Sequence, residues 1–205
     1  MGFTREQLQA FRDTSVPDLM PPHPRLVFVG INPGLWTAAT GVHFGHPGNR
    51  FYPALLAAGI LPRLPRIADD GMPPRDRDML LNAGIGISNL VPRATARADE
   101  LSREELRAGA RRLETDAAGW GAAVIAIVGI TAYRQGFGRP RATAGRQSET
   151  LGGSQLWVVP NPSGLNAHDT VASLAAAYAE PARAAGLDVG GAGAGAVAAG
   201  AGGGR

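Results

Sequence analysis

The chain has 205 residues, 44% hydrophobic and 18% charged, which suits one globular domain whose core needs neither metal nor disulfide. It contains no cysteine, which excludes disulfide frameworks, thiol nucleophiles and thiolate-held metals or clusters. The net charge is +3 and all 20 basic residues are arginine, so no lysine is present to form a Schiff base or to serve a phosphate-binding P-loop.

No apolar run approaches the roughly 18 residues of a membrane span, and the opening MGFTREQ carries no signal-peptide pattern. The expectation is a cytoplasmic protein without membrane attachment. Residues 19–68 hold no Asp or Glu but do hold Arg25, Arg50, Arg63, Arg66 and three histidines. Between Asp116 and Glu149 the only formal charges are Arg134, Arg139, Arg141 and Arg146. Acid-free stretches with scattered arginines suit a surface facing a polyanion, and equally an ordinary solvated loop.

In chain order, Thr4-Arg-Glu-Gln7 is a capping box that predicts a short helix before the Pro-rich stretch 17–24. Residues 25–30 (RLVFVG) read as a buried strand ending in turn chemistry at Asn32-Pro33-Gly34. A helix is predicted over about 49–58 and an irregular, proline-punctuated connection over 61–78. Residues 85–91 (IGISNLV) predict a second strand, and Ser102-Arg-Glu-Glu105 a capped helix running to about Ala118. The apolar run 122–128 (AAVIAIV) is the clearest strand, with a helix following from about Thr131. A fourth strand, 156–159 (LWVV), ends in Pro160-Asn161-Pro162-Ser163-Gly164, and 169–185 has a helical pattern.

Apolar strands alternating with helices predict a three-layer, doubly wound α/β domain on a short, mainly parallel sheet of about four strands. Sites in such folds gather at the carboxyl ends of the strands, which here carry INPG, SNLV, GITAY and NPSG. The division expected is a lead-in over 1–24, the domain over 25–187, and a Gly/Ala tail over 188–205 too poor in apolar side chains to join a core.

The first Asn-Pro corner matches neither a Walker loop nor a dinucleotide fingerprint. A second Asn-Pro, at Asn161-Pro162, also follows a strand. His43 and His46 form H-x-x-H, for which zinc is conceivable, but no cysteine or acid lies nearby and the reading is no metal and no cofactor. Ser163 sits in no nucleophile elbow, leaving phosphate contact or helix capping as its roles.

Taken together, GINPGLWTAATGVHFGHPGNRF, IGISNLV, VGITAYRQGFG and VVPNPSGLN resemble the mismatch-specific uracil/thymine DNA glycosylase family, a branch of the uracil-DNA glycosylase superfamily. The resemblance runs from about Arg25 to Tyr178 in order and spacing. It implies a glycosylase-like fold and a base-excision repair enzyme that flips uracil from double-stranded DNA, preferentially from G:U mismatches, and leaves an abasic site. It further implies a monomer, associated with the nucleoid of a bacterium.

Residue by residue, the resemblance implies that Asn32 holds the hydrolytic water and that Phe44 is the platform on which the base stacks. The amides of Ile31 and Phe44 would meet the pyrimidine carbonyls, Asn89 its N3–H and O4 edge, and Thr37 would set the room beside its 5-position. Gly164, Leu165 and Asn166 would form the wedge that fills the vacated stack, with Asn161, Ser163 and His168 completing the strand contacts. Relatives commonly follow the wedge with arginine. This chain has Ala167. The alternatives are a relative acting on another lesion, such as hypoxanthine or an etheno adduct, and a mismatch binder that does not turn over.

Overall fold

A computed structural model of the chain describes residues 2–190, so most of the Gly/Ala tail expected over 188–205 lies outside the described residues. Five short strands form the sheet: β1 (Leu26–Gly30), β2 (Ile85–Asn89), β3 (Val124–Val128), β4 (Gly145–Leu151) and β5 (Ser154–Val159). Their order is β2-β1-β3-β5-β4, with the first four parallel and β4 antiparallel to β5.

Alternation along each strand separates two cores. Leu26, Phe28, Val124 and Ala126 face one side, against α3 (Phe51–Ala57), α4 (Pro74–Asn82) and α7 (Val171–Ala184). Val27, Val29, Ile125 and Ile127 face the other, against α5 (Arg103–Trp120) and α6 (Ile130–Gly136). Both faces of the central strands are therefore apolar, which is why they read as continuous hydrophobic runs.

The fifth strand corrects the expected count of four. β4 (GRQSETL) is a polar edge strand with alternating exposure, so it carries no buried-strand signature. It returns into β5 through Gly152 and Gly153, both at positive φ (56° and 90°), the two-residue turn that matches strand twist. Two helices also depart from the expected pattern. α2 (Leu35–Thr40) follows the first Asn-Pro-Gly corner, and α4 occupies the end of the stretch expected to be irregular, entered with Pro74 in its first turn. The boxes at Thr4 and Ser102 are both formed, opening α1 (Arg5–Gln9) and α5.

The lead-in is stitched to the body. Leu19 and Ile87 exchange backbone hydrogen bonds of 2.9 and 2.7 Å across the outer edge of β2, and Asp13 pairs with Arg93 at 2.7 Å. β1 is flanked by β2 on one side and β3 on the other, so the chain reverses direction beside it. A crevice opens beyond the carboxyl ends of strands at such a switch point.

Candidate functional site

A cleft of about 900 Å³ occupies that position, lined by Ile31 and Asn32 after β1, Asn89 ending β2, and Asn161 and Ser163 to Asn166 after β5. Thr37 and Phe44 also line it. Of the residues given a site role in the sequence, His168 lies outside the lining, as does Ala167; both are exposed beyond the wedge loop.

The Asn32 side chain has a fixed orientation. Its Nδ2 donates to the Arg93 carbonyl at 2.9 Å, the Thr95 hydroxyl at 2.7 Å and, more weakly, the Pro33 carbonyl at 3.2 Å. Carbonyls only accept, so the amide nitrogen must face them. Thr95 Oγ1 donates its own hydrogen to the Arg97 carbonyl at 2.7 Å, which leaves it as an acceptor toward Asn32. The amide thus keeps Oδ1 as its free acceptor. Thr95 was not singled out in the sequence: 63 residues separate it from Asn32, and no local motif marks it.

Two backbone N–H groups of cleft-lining residues, those of Ile31 and Phe44, are left without a protein partner among the described residues. Gly30 O accepts from Leu90 N at 2.8 Å, so the Ile31 N–H across that trans peptide points the opposite way, past the last β1–β3 pair at Val29 and Ile127. The Tyr52 hydroxyl donates to the His43 carbonyl at 2.9 Å and so directs the Phe44 N–H away from it. Neither N–H has an acceptor among the described residues.

Phe44 stands in the left-handed region at φ 55°, a strained conformation for a bulky side chain that the surrounding packing must hold. One face of its ring stacks on the buried Phe51 at 4.2 Å between centroids and 24° between planes. The ring also lines the cleft. A Cβ at Gly30 would lie 3.2 Å from Phe44 Cζ and 2.7 Å from Asn89 Oδ1, so the bare glycine is what leaves room for both side chains.

Asn89 and His43 are bonded, with 3.1 Å between Nδ2 and Nδ1, and His43 Nε2 lies 2.9 Å from the Pro17 carbonyl. Burial pushes the His43 pKa down and favours the neutral ring, while the Pro17 bond and Asp18 oppose that shift. Burial likewise raises the Asp18 carboxyl pKa. Both His43 nitrogens are engaged, and His46 is exposed with Nδ1 accepting from Gly48 N, so the H-x-x-H pair does not converge on a metal.

The wedge loop is held from outside by Arg50. Its guanidinium donates to the carbonyls of Ser163, Asn166 and Asp169, and its backbone N–H to Pro162 O at 3.0 Å. Asn161 Oδ1 accepts from Ser163 N, and Asn166 Nδ2 donates to Asn161 O and Asp169 Oδ2. These bonds turn Asn166 inward. Leu165 is the large apolar side chain of the loop left exposed, at 86%, at the cleft rim. Arg50 was read in the sequence as part of HPGNRF and of the acid-free stretch, but not as a support for the wedge loop, since nothing local shows that a loop 113 residues away needs its donors.

The arginines of the two acid-free stretches do not converge on the cleft. Arg50 is engaged by carbonyls, Arg63 by Asp76, Arg134 by the Ala142 carbonyl and Arg139 by Glu149. The charged residues lining the cleft are Arg5, Arg97 and Asp99, the last two paired at 2.7 Å.

Residues 17–181 match the family model of the uracil DNA glycosylase superfamily. The chain belongs to that superfamily. A solution NMR structure of a candidate uracil DNA glycosylase from Methanosarcina acetivorans has the same fold, with a TM-score of 0.52 at 17% identity. The match covers 82% of this chain and 96% of that one. Membership in the uracil DNA glycosylase superfamily supports DNA N-glycosylase activity, with DNA as the partner.

Proposed function

We propose that this protein excises uracil from double-stranded DNA, preferentially opposite guanine, and leaves an intact abasic site. The observation that carries the reading is the clamped amide of Asn32, which keeps Oδ1 as its free acceptor and lines the same cleft as the Phe44 ring. The uracil stacks on Phe44, a contact worth about 1–3 kcal/mol. The N-glycosidic bond breaks with its electron pair moving onto the base, where the Ile31 and Phe44 N–H groups stabilise the charge developing on the carbonyl oxygens. Water held by Asn32 Oδ1 then adds to the electron-poor sugar carbon, and the proton it loses passes by way of solvent to the departed uracil anion. A strong base is unnecessary, because bond breaking runs ahead of water attack.

Asn89 meets the Watson–Crick edge of the flipped base, and the buried Thr37 limits room beside the 5-position, which favours uracil over thymine. Leu165 enters the vacated stack. The carbonyls of Gly164 and Leu165 stay free to meet the widowed guanine, since those of Ser163 and Asn166 are taken by Arg50. The chain has no lysine amine to attack the sugar, so the reaction stops at the abasic site. We place the enzyme, as a monomer without cofactor, at the nucleoid of a bacterial cytoplasm.

The test is incubation with G:U, G:T, A:U and single-stranded uracil oligonucleotides, and with duplexes holding hypoxanthine or ethenoadenine, followed by alkali. Strand breaks at uracil after alkali, fastest for G:U, are the expected result, with no adduct trapped by borohydride. Breaks only at a purine lesion, or mismatch binding without breaks, overturn the reading.

A further inference from the structure

The bond between His43 and Asn89 has a direction that chemistry fixes. Pro17 O only accepts, so the proton of the neutral His43 ring sits on Nε2, leaving the Nδ1 lone pair toward Asn89. Asn89 must answer with an N–H. Its amide is thereby turned so that Oδ1 lies over Gly30, where a Cβ would stand 2.7 Å from it and 3.2 Å from Phe44 Cζ. The opposite amide orientation would set Oδ1 against the Nδ1 lone pair, two acceptors about 3.1 Å apart in a buried site. His43 is itself only 4% exposed and Asn89 6%, so water does not relieve that clash.

We infer that His43 is a positioning residue for base discrimination: it locks Asn89 so that the pocket accepts the N3–H and O4 edge of a uracil-type base and refuses the cytosine edge. The inference rests on the glycosylase reading above. A base stacked on Phe44 meets Asn89 Oδ1 as an acceptor and the remaining Nδ2–H as a donor. Uracil offers the complement, a donor at N3 and an acceptor at O4. Cytosine offers the reverse and sets its N3 lone pair against Oδ1. The discrimination is therefore written in an amide orientation that Asn89 alone does not possess. The charged group facing His43 is Asp18, on the lead-in beside Pro17; it is not itself among the residues that line the cleft.

Two substitutions separate the two bonds of the ring. His43→Asn keeps an acceptor where Nδ1 stood and loses the donor to Pro17. His43→Gln keeps a donor where Nε2 stood and loses the acceptor to Asn89. Single-turnover excision is measured on duplexes holding 5-fluorouracil or 5-fluorocytosine opposite guanine, because fluorine makes both bases good leaving groups. The expected result is that His43→Asn keeps the wild-type preference for fluorouracil within about threefold, whereas His43→Gln loses it by about tenfold or more. The reverse ranking, or an equal fall on both bases in both variants, overturns the inference and leaves His43 as an anchor for Pro17. Independently of activity, the 15N-labelled wild-type protein should show a through-bond coupling between Asn89 Nδ2 and His43 Nδ1, and its absence also overturns the inference. Failure of the wild type to excise either base overturns the glycosylase reading and the discrimination with it. The coupling, read without substrate, tells that failure apart from a wrong assignment of the bond.

Discussion

Thr95 Oγ1 accepts a 2.7 Å hydrogen bond from Asn32 Nδ2 while donating its own hydrogen at 2.7 Å to the Arg97 carbonyl. A hydroxyl committed in this way leaves the Asn32 amide one orientation, with its oxygen as the free acceptor. Asn32→Ala should therefore bind uracil-containing duplex within a few fold of wild type and lose about 100-fold or more in single-turnover excision. Thr95→Val keeps the shape of the clamp and removes one acceptor, so it should lose about tenfold, the worth of one buried hydrogen bond. Near wild-type rates in both variants would show that the amide does not hold the water.

Gly30→Ala tests whether the pocket floor must stay bare. The new methyl would lie 2.7 Å from Asn89 Oδ1 and 3.2 Å from Phe44 Cζ, so one of these groups must shift. A cooperatively folding protein whose excision falls at least about tenfold is expected, with a thermal midpoint lowered by the strain. Unimpaired excision would place the base elsewhere in the cleft.

Arg50→Met removes the donors that hold three carbonyls of the wedge loop. Leaving these acceptors without partners should cost about 1–3 kcal/mol in denaturant unfolding. Excision should fall with it, because a loosened loop no longer presents Leu165 at the rim. A variant of unchanged stability would mean that water replaces the guanidinium without loss.

Leu165→Ala should behave in the opposite way. With 86% of the residue exposed, truncation should move stability by no more than about 0.5 kcal/mol. Excision from duplex DNA should drop several-fold while excision from single-stranded uracil stays closer to wild type, since only the duplex presents a stack to fill. Equal losses on the two substrates would argue against a wedge.

His43 also sets a pH dependence. Burial lowers its pKa below the usual 6.5, so below that pH the unfolded chain binds a proton that the folded state resists. Stability should fall as pH drops below about 6.5, until the lowered folded pKa is reached. Asp18 works in the opposite sense, because its raised pKa makes the folded state the better proton binder as pH falls toward 3.8. Urea unfolding at pH 8, 6.5 and 5.5 should show the decline in wild type and a flatter profile in His43→Asn; identical profiles would contradict it.

The sequence by itself made the parallel core of the fold legible from local patterning, because β1, β2 and β3 are buried on both faces, β5 is buried on one face and half-buried on the other, and such strands read as largely apolar runs. It also placed the Asn-Pro corners, the Thr4 and Ser102 caps, and the motifs that resemble a glycosylase, since each of these is a local pattern. It did not show β4, a polar edge strand with no buried face to announce it, nor α2, a helix of six residues after a turn. Tertiary structure alone decided how the site residues are held. Thr95 fixes Asn32 across 63 positions, Arg50 fixes the wedge loop across 113, and His43 turns Asn89 across 46. The physical reason is that a side chain's hydrogen-bond partners are chosen by proximity in the folded chain, and a single donor or acceptor so far along the sequence leaves no period or spacing from which it can be read.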